Sequence, residues 1–263
     1  MIMAIRTTAI INMKGGTAKT TTAINMAAIL AKHYGKRVLL IDADSQCNTT
    51  EFFGRSDSAH NLATILRGST FADYPDGAVR IGIQQTDFEG IDIIAGDDSL
   101  MDMDLSAVSS GVAEVNVLRT MVEFLNGVYD YVLIDCPPAF NAASAAALVA
   151  ADDVVVPIKL DAFSLRGMVN IMRQVKNMKL INPRLKVAGV LPTMWYKDEQ
   201  IQDAEQQLRS AGLPVFHHIR RSDKVDRMTF RQEALLISSP NSAAGVDYRT
   251  FVAEYVGGVV CEK

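Results

Sequence analysis

The sequence predicts a single α/β domain, a mostly parallel, twisted sheet with helices on both faces. Three observations predict it. Short runs rich in Val, Ile and Leu alternate with longer stretches patterned at helical spacing. The strand candidates are continuously apolar rather than alternating, as strands covered on both faces require. The unusual polar motifs all fall just after strand candidates, at the end of the sheet where doubly wound folds bind ligands.

Thr7–Asn12 (TTAIIN) reads as the first strand. Thr20–Tyr34, rich in Ala, Ile, Leu and Met, reads as the helix after it, closed by Gly35 as a C-cap. Arg37–Asp42 (RVLLID), Gly90–Ala95 (GIDIIA), Tyr129–Asp135 (YDYVLID), Asp153–Pro157 (DVVVP) and Lys186–Leu191 (KVAGVL) follow as the second to sixth strands. Pro214–His217 (PVFH) adds a short edge strand. Further helices cover about 113–127, 141–151, 164–180, 198–211 and 244–256. Residues 55–112 are the least regular and read as an insertion. No repeat or linker divides the 263 residues, so one domain spans 1–263.

With 49% hydrophobic and 21% charged residues the composition is that of an ordinary globular protein. Cys47, Cys136 and Cys261 are widely spaced, odd in number and form no CxxC pair. This argues against a disulfide framework or a zinc or iron–sulfur centre and fits a reducing cytoplasm. No signal-peptide pattern opens the chain, and no apolar run reaches the ~18–20 residues that cross a bilayer. A cytoplasmic protein without membrane insertion is expected. The net charge of −4 says nothing about local patches.

The stretch Met13-Lys-Gly-Gly-Thr-Ala-Lys-Thr-Thr-Thr22 lies between the first strand and its helix. It resembles a phosphate-binding loop, yet Met13 and Ala18 stand at the two glycine positions of G-x-x-x-x-G-K-[ST]. Gly15 and Gly16 allow backbone N–H groups to approach phosphate oxygens, and the following helix directs its positive end to the same place. Lys19 brings a point charge, and the Thr20 hydroxyl suits a hard cation such as Mg²⁺. Asp135 ends the fourth strand and precedes Cys136-Pro137-Pro138; a carboxylate there can hold a Mg²⁺-bound water, or simply cap a turn. Asp42 and Asp44, two residues apart, leave the second strand on one side of an extended backbone. One can support the Mg²⁺ shell while the other positions an attacking water; a solvated loop with paired acids is the plainer alternative.

Together, Lys14-Gly15-Gly16-x-x-Lys19-Thr20-Thr21, D-x-D-x-Q-x-N at 42–48 and D-x-P-P at 135–138 resemble the deviant Walker A ATPases of the ParA/MinD superfamily. The ParA/Soj partition proteins are the nearest branch, and LPTMW at 191–195, IRRSDKVDRMTF at 219–230 and PNSAAGVDYRTF at 240–251 match more loosely. The resemblance implies a P-loop NTPase that uses ATP/ADP and Mg²⁺. It places the nucleotide on Lys14, Gly15, Gly16, Thr17, Ala18, Lys19, Thr20 and Thr21, with Thr193 and Met194 near the adenine. It makes Lys19 the phosphate lysine of its own subunit and Lys14 the signature lysine that reaches the partner's nucleotide in an ATP-sandwich homodimer. Thr20, Asp42 and Asp135 become the metal residues, and Asp44 the residue that positions the hydrolytic water. Ala18, where the family usually has glycine, is tolerated if its backbone is right-handed and costs phosphate binding if it needs positive φ. Ser45 stands where the family often has proline.

The resemblance also implies nonspecific DNA binding, a ParB-type centromere-binding partner that stimulates hydrolysis, and a nucleoid-associated cytoplasmic location. Two basic clusters suit that expectation. Arg166, Arg173, Lys176, Lys179, Arg184 and Lys186 occur without an intervening acid; Arg220, Arg221, Lys224, Arg227 and Arg231 are diluted by Asp223 and Asp226. Residues 164–256 then carry the dimer- and DNA-facing elements. The C-terminal DYRTFVAEYVGGVVCEK lacks the basic amphipathic helix of membrane-bound relatives, so no membrane contact is expected. Trp195, beside Thr193-Met194, reads as packing rather than a nucleotide contact. The alternative function is a nucleotide-dependent binding switch with negligible hydrolysis that recruits or regulates another complex.

Overall fold

A computed structural model describes residues 4–55, 60–67, 82–104, 108–109, 114–161 and 164–261. Seven strands form one sheet: β1 (Arg6–Ile10), β2 (Val38–Asp42), β3 (Ile83–Gln85), β4 (Ile91–Ile94), β5 (Tyr131–Asp135), β6 (Asp153–Lys159) and β7 (Lys186–Thr193). Their order across the sheet is β3-β4-β2-β5-β1-β6-β7, all parallel except the β3–β4 pair. The helices are α1 (Lys19–Tyr34), α2 (Asn48–Phe52), α3 (Leu62–Leu66), α4 (Val117–Phe124), α5 (Ala142–Ala150), α6 (Ser164–Met178), α7 (Glu199–Ser210), α8 (Asp223–Arg231), α9 (Leu235–Ser238) and α10 (Ala243–Cys261).

The continuously apolar strands are divided between two cores by their period of two. Ala9, Leu39, Ile41, Val132, Ile134, Val154 and Val156 face a core shared with α3 to α7. Ile10, Val38, Leu40, Tyr131, Leu133 and Val155 face the other, shared with α1, α8, α9 and α10. Helix α1 lies so deep that eleven of its sixteen residues are buried, Lys19 among them. It ends at Gly35 in the left-handed conformation (φ 61°), as the sequence predicts.

Besides the short helices α2 and α9 and helix α8, which the sequence reading did not place, three features differ from the sequence expectation. Pro214–His217 forms no strand, only an isolated parallel bridge from Val215 to Val190 held by two backbone hydrogen bonds of 2.8 and 2.9 Å. Pro214 has no N–H to extend the ladder. The Phe216 ring instead lies over Gly189, where a Cβ would come within 2.5 Å of it. The irregular region 55–112 supplies the antiparallel edge strand β3, besides β4, α3 and a 3₁₀ turn at Asp98–Asp102. The last helix continues through Gly257 and Gly258 to Cys261. The side chain of Arg166, in the first basic cluster, lies outside the described residues. Among the described residues no helix is long and apolar enough to cross a membrane.

Candidate functional site

The loop from Ile11 to Ala18 leaves β1 at the centre of the sheet and turns directly into α1. Asn12 braces it: its amide donates to the Pro157 carbonyl (2.6 Å), and its Oδ1 accepts the Lys14 N–H (3.0 Å). Gly16 sits at φ 69°, as a loop that turns its N–H groups inward requires. The Lys19 ammonium folds back over the loop toward the Lys14 carbonyl at 3.4 Å. Burial lowers the Lys19 pKa while Asp135 and Asp44 oppose that shift, so a charge is held where an anion would relieve it. The first turn of α1 has no acidic residue and no side-chain cap, so the positive end of its dipole stays unneutralised.

Ala18 occupies the left-handed region (φ 64°, ψ 32°) immediately before Lys19. The departure from glycine therefore falls where a Cβ is strained. Ala18→Gly is expected to raise stability by about 0.5–1 kcal/mol, relief of strain outweighing the added freedom of the unfolded chain. Chemical denaturation measures it, and a less stable variant would show that the strain is compensated elsewhere.

Two carboxylates meet behind this loop. Strands β2 and β5 are neighbours in register, so Asp42 and Asp135 stand side by side at their carboxyl ends. Both are almost completely buried. Asp42 Oδ2 accepts the Thr50 N–H (2.8 Å) and the Thr50 hydroxyl (2.7 Å), and its Oδ1 accepts the Asp44 N–H (3.2 Å). Asp135 Oδ2 accepts the hydroxyls of Thr20 (2.6 Å) and Thr49 (2.7 Å). Asp135 Oδ1 has no hydrogen-bond partner. Burial pushes both pKa values up, with Asp135 adding to the rise at Asp42 and Asp44 adding to that at Asp135. An unpartnered buried carboxylate oxygen beside a threonine hydroxyl and a second carboxylate fits a hard divalent cation, whose charge reverses the cost of burial. No cluster of three or more His, Cys, Asp or Glu that could hold a metal occurs among the described residues. Hydroxyl, phosphate and water oxygens would complete the shell, as Mg²⁺ prefers.

Asp44 heads the following loop, its Oδ1 accepting the Gln46 N–H at 3.0 Å. Lys14, on the outer side of the phosphate loop, makes an ion pair with Asp161 at 2.5 Å. Beside the start of α1 opens a groove of about 450 Å³, lined by Ala18, Thr21, Thr193, Met194, Tyr196 and Arg221 among others. Its volume falls in the range of small-ligand pockets. The Thr193 hydroxyl shares its one proton between the carbonyls of Thr17 and Ile158 (3.2 Å each), bracing the loop, while Met194 takes a positive φ of 54° at the groove wall. Trp195 stacks on His218, ring centroids 4.0 Å apart and ring planes nearly parallel, and Tyr196 lines the groove in its place.

Of the second basic cluster, Arg221 and Arg227 are exposed and Lys224 half-exposed along the start of α8. Arg227 pairs with Asp223 at 3.2 Å. Arg220 is exposed as well, and its guanidinium pairs with Asp247 of α10 through two side-chain bonds of 2.8 and 2.7 Å. Its backbone N–H joins the same carboxylate at 2.9 Å. That pair anchors the segment before α8. Thr49, Thr50, Gly96 and Tyr196 take part in the site without having stood out in the sequence. The consecutive threonines just after D-x-D-x-Q-x-N were the available signal.

The AAA domain family model matches residues 5–187. The chain is 38% identical over 204 residues to the chromosome partitioning protein ParA of Caulobacter vibrioides, covering 76% of this chain and 73% of that one. It is 33% identical over 259 residues to the chromosome-partitioning ATPase Soj of Thermus thermophilus, covering 97% of each. Among solved structures it resembles cobyrinic acid a,c-diamide synthase from Mycobacterium smegmatis with bound ADP and magnesium, at 26% identity and a TM-score of 0.80, over 98% of this chain and 97% of that one. With its phosphate loop, strand-end carboxylates and parallel sheet, the chain belongs to the ParA/MinD superfamily of P-loop ATPases.

Proposed function

We propose that the protein is a Mg²⁺-dependent ATPase of the partition type, which forms an ATP-sandwich homodimer, binds DNA without sequence preference and is stimulated by a ParB-type partner. The observation that carries the ATPase chemistry is the unpartnered Oδ1 of Asp135, buried beside Thr20 and Asp42 under the loop that holds Lys14 and Lys19. The solved relative with bound ADP and magnesium supports nucleotide and Mg²⁺ as the ligands. The partition relatives support the biological role.

In this scheme Gly15, Gly16, Thr17 and Ala18 present backbone N–H groups to the phosphates, and Lys19 neutralises them within the subunit. Thr20, Asp42 and Asp135 hold Mg²⁺, which would supply charge neutralisation on the phosphate oxygens. Asp44 orients the attacking water at the mouth of the site. Thr21, Thr193 and Met194 bound the nucleoside groove. Lys14 leaves Asp161 and serves the partner's nucleotide. Residues 164–256 carry the dimer and DNA faces, with Arg220, Arg221, Lys224 and Arg227 toward phosphates and the Arg220–Asp247 pair holding the segment in place. Such a protein works in the cytoplasm on the nucleoid.

ATP turnover measured with and without DNA and the partner tests the scheme. Turnover that never exceeds an Asp44→Ala control would leave the binding switch as the function. For the DNA face, combining Arg221→Ala with Lys224→Ala is expected to weaken binding and reduce the slope of log affinity against log salt by about 2. An unchanged slope would place the DNA elsewhere.

A further inference from the structure

We propose that Thr49 is a positioning residue for the metal carboxylate Asp135, and that with Thr50 it makes the short helix α2 the element that sets Mg²⁺ affinity; the proposal rests on the magnesium–nucleotide site described under the proposed function. Thr49 and Thr50 are both buried, at 0% and 1% exposure. Neither hydroxyl caps α2, whose N-cap, Cys47, lies in the left-handed region without a side-chain cap bond. The hydroxyls are spent instead on the two carboxylates.

Oδ2 of Asp135 receives one proton from Thr20 and one from Thr49, so rotation of the carboxylate would break two bonds at once. The pair of donors on Oδ2 holds Oδ1 in the direction where it meets no donor. Thr20 has a second duty in the scheme, since its hydroxyl oxygen would also help hold the cation. Thr49 has only the carboxylate. Thr50 is fixed from the other side: its hydroxyl oxygen accepts the Gly96 N–H at 2.8 Å, which directs its own proton to Asp42 Oδ2. Glycine at 96 eases that approach, because a Cβ there would lie 3.1 Å from both the Cγ and the carbonyl oxygen of Asp42 and would crowd the carboxylate by a few tenths of an ångström. Two consecutive residues of α2 thus orient the two carboxylates that β2 and β5 bring together. Partners of this kind, behind the ligands themselves, commonly change metal affinity by about 10–100-fold when removed.

The test is binding of fluorescent ADP to the full-length protein, titrated with Mg²⁺ and repeated in EDTA. Thr49→Val, which keeps the shape and removes the hydroxyl, is expected to raise the Mg²⁺ concentration for half-maximal tightening about tenfold while leaving EDTA affinity unchanged. Thr49→Ser restores the wild-type midpoint. A folded Thr49→Val with a wild-type Mg²⁺ midpoint, or with equal loss of affinity in Mg²⁺ and EDTA, overturns the proposal. Should the valine variant fail to fold, Thr49→Ala makes the same measurement; if neither folds, the hydroxyl is architectural and the proposal falls. A wild-type protein whose ADP affinity ignores Mg²⁺ would overturn the magnesium site itself, a result distinct from these.

Discussion

Replacing Asp44 by alanine is expected to lower ATP turnover by about two to four orders of magnitude, the contribution typical of a positioned acid–base group. ATP binding should survive, because no phosphate-loop contact depends on the Asp44 side chain. That carboxylate is largely buried and makes one short-range bond, to the Gln46 N–H. Its removal therefore costs the fold little, unlike removal of Asp135, which holds Thr20 and Thr49 together. Single-turnover phosphate release and ATP-dependent dimerisation by size exclusion separate the two effects. The expected result is a dimer with ATP, a monomer with ADP, and negligible phosphate release. Turnover within a fewfold of wild type would remove Asp44 from the chemistry.

Asp135→Asn is expected to do the opposite to stability and binding: a more stable metal-free protein that no longer responds to Mg²⁺. Burial raises the pKa of Asp135 and Asp42 above the ordinary 3.8, to about 6 and about 7. Between pH 4 and 7 the folded state therefore binds more protons than the unfolded chain, and stability falls as pH rises through that window. The asparagine keeps an acceptor for Thr20 and Thr49 but removes the charge. At pH 8 in EDTA the variant should gain about 1–3 kcal/mol, roughly 3–9 °C in thermal midpoint. Near pH 4, where the native carboxylates are already neutral, the gain should vanish. Thermal melts across pH, with and without Mg²⁺-ADP, check it; a gain independent of pH would mean that packing rather than charge is responsible.

The parts of the site legible in the sequence are those whose position follows from strand periodicity alone. Asp42 and Asp135 end apolar runs, and the phosphate loop bridges a strand and a helix, so each could be placed at the same end of the sheet. What the sequence did not disclose depends on which strands are neighbours. Thr49 and Thr50 acquire meaning only because β2 and β5 lie side by side, and Gly96 only because β4 follows β2 on the other side. Arg220 counted as one charge in a cluster because its partner, Asp247, is 27 residues away. The helices α2, α3 and α9 are too short for a periodic pattern, and α8 was legible as charge before it was legible as a helix. The backbone at Ala18 was the one question the residue type posed without answering, and the positive φ answers it against alanine.

The in-register pairing of Asp42 with Asp135 also bears on how the sheet assembles. Like charges directly opposite one another oppose strand pairing, and here they sit at the ends of two central strands. A slip of one residue would turn one carboxylate to the opposite face and relieve the repulsion, at the expense of moving Ile41 or Ile134 out of its core. The apolar side chains thus enforce an alignment that the carboxylates resist. A divalent cation held by these residues would offset the repulsion that this alignment incurs.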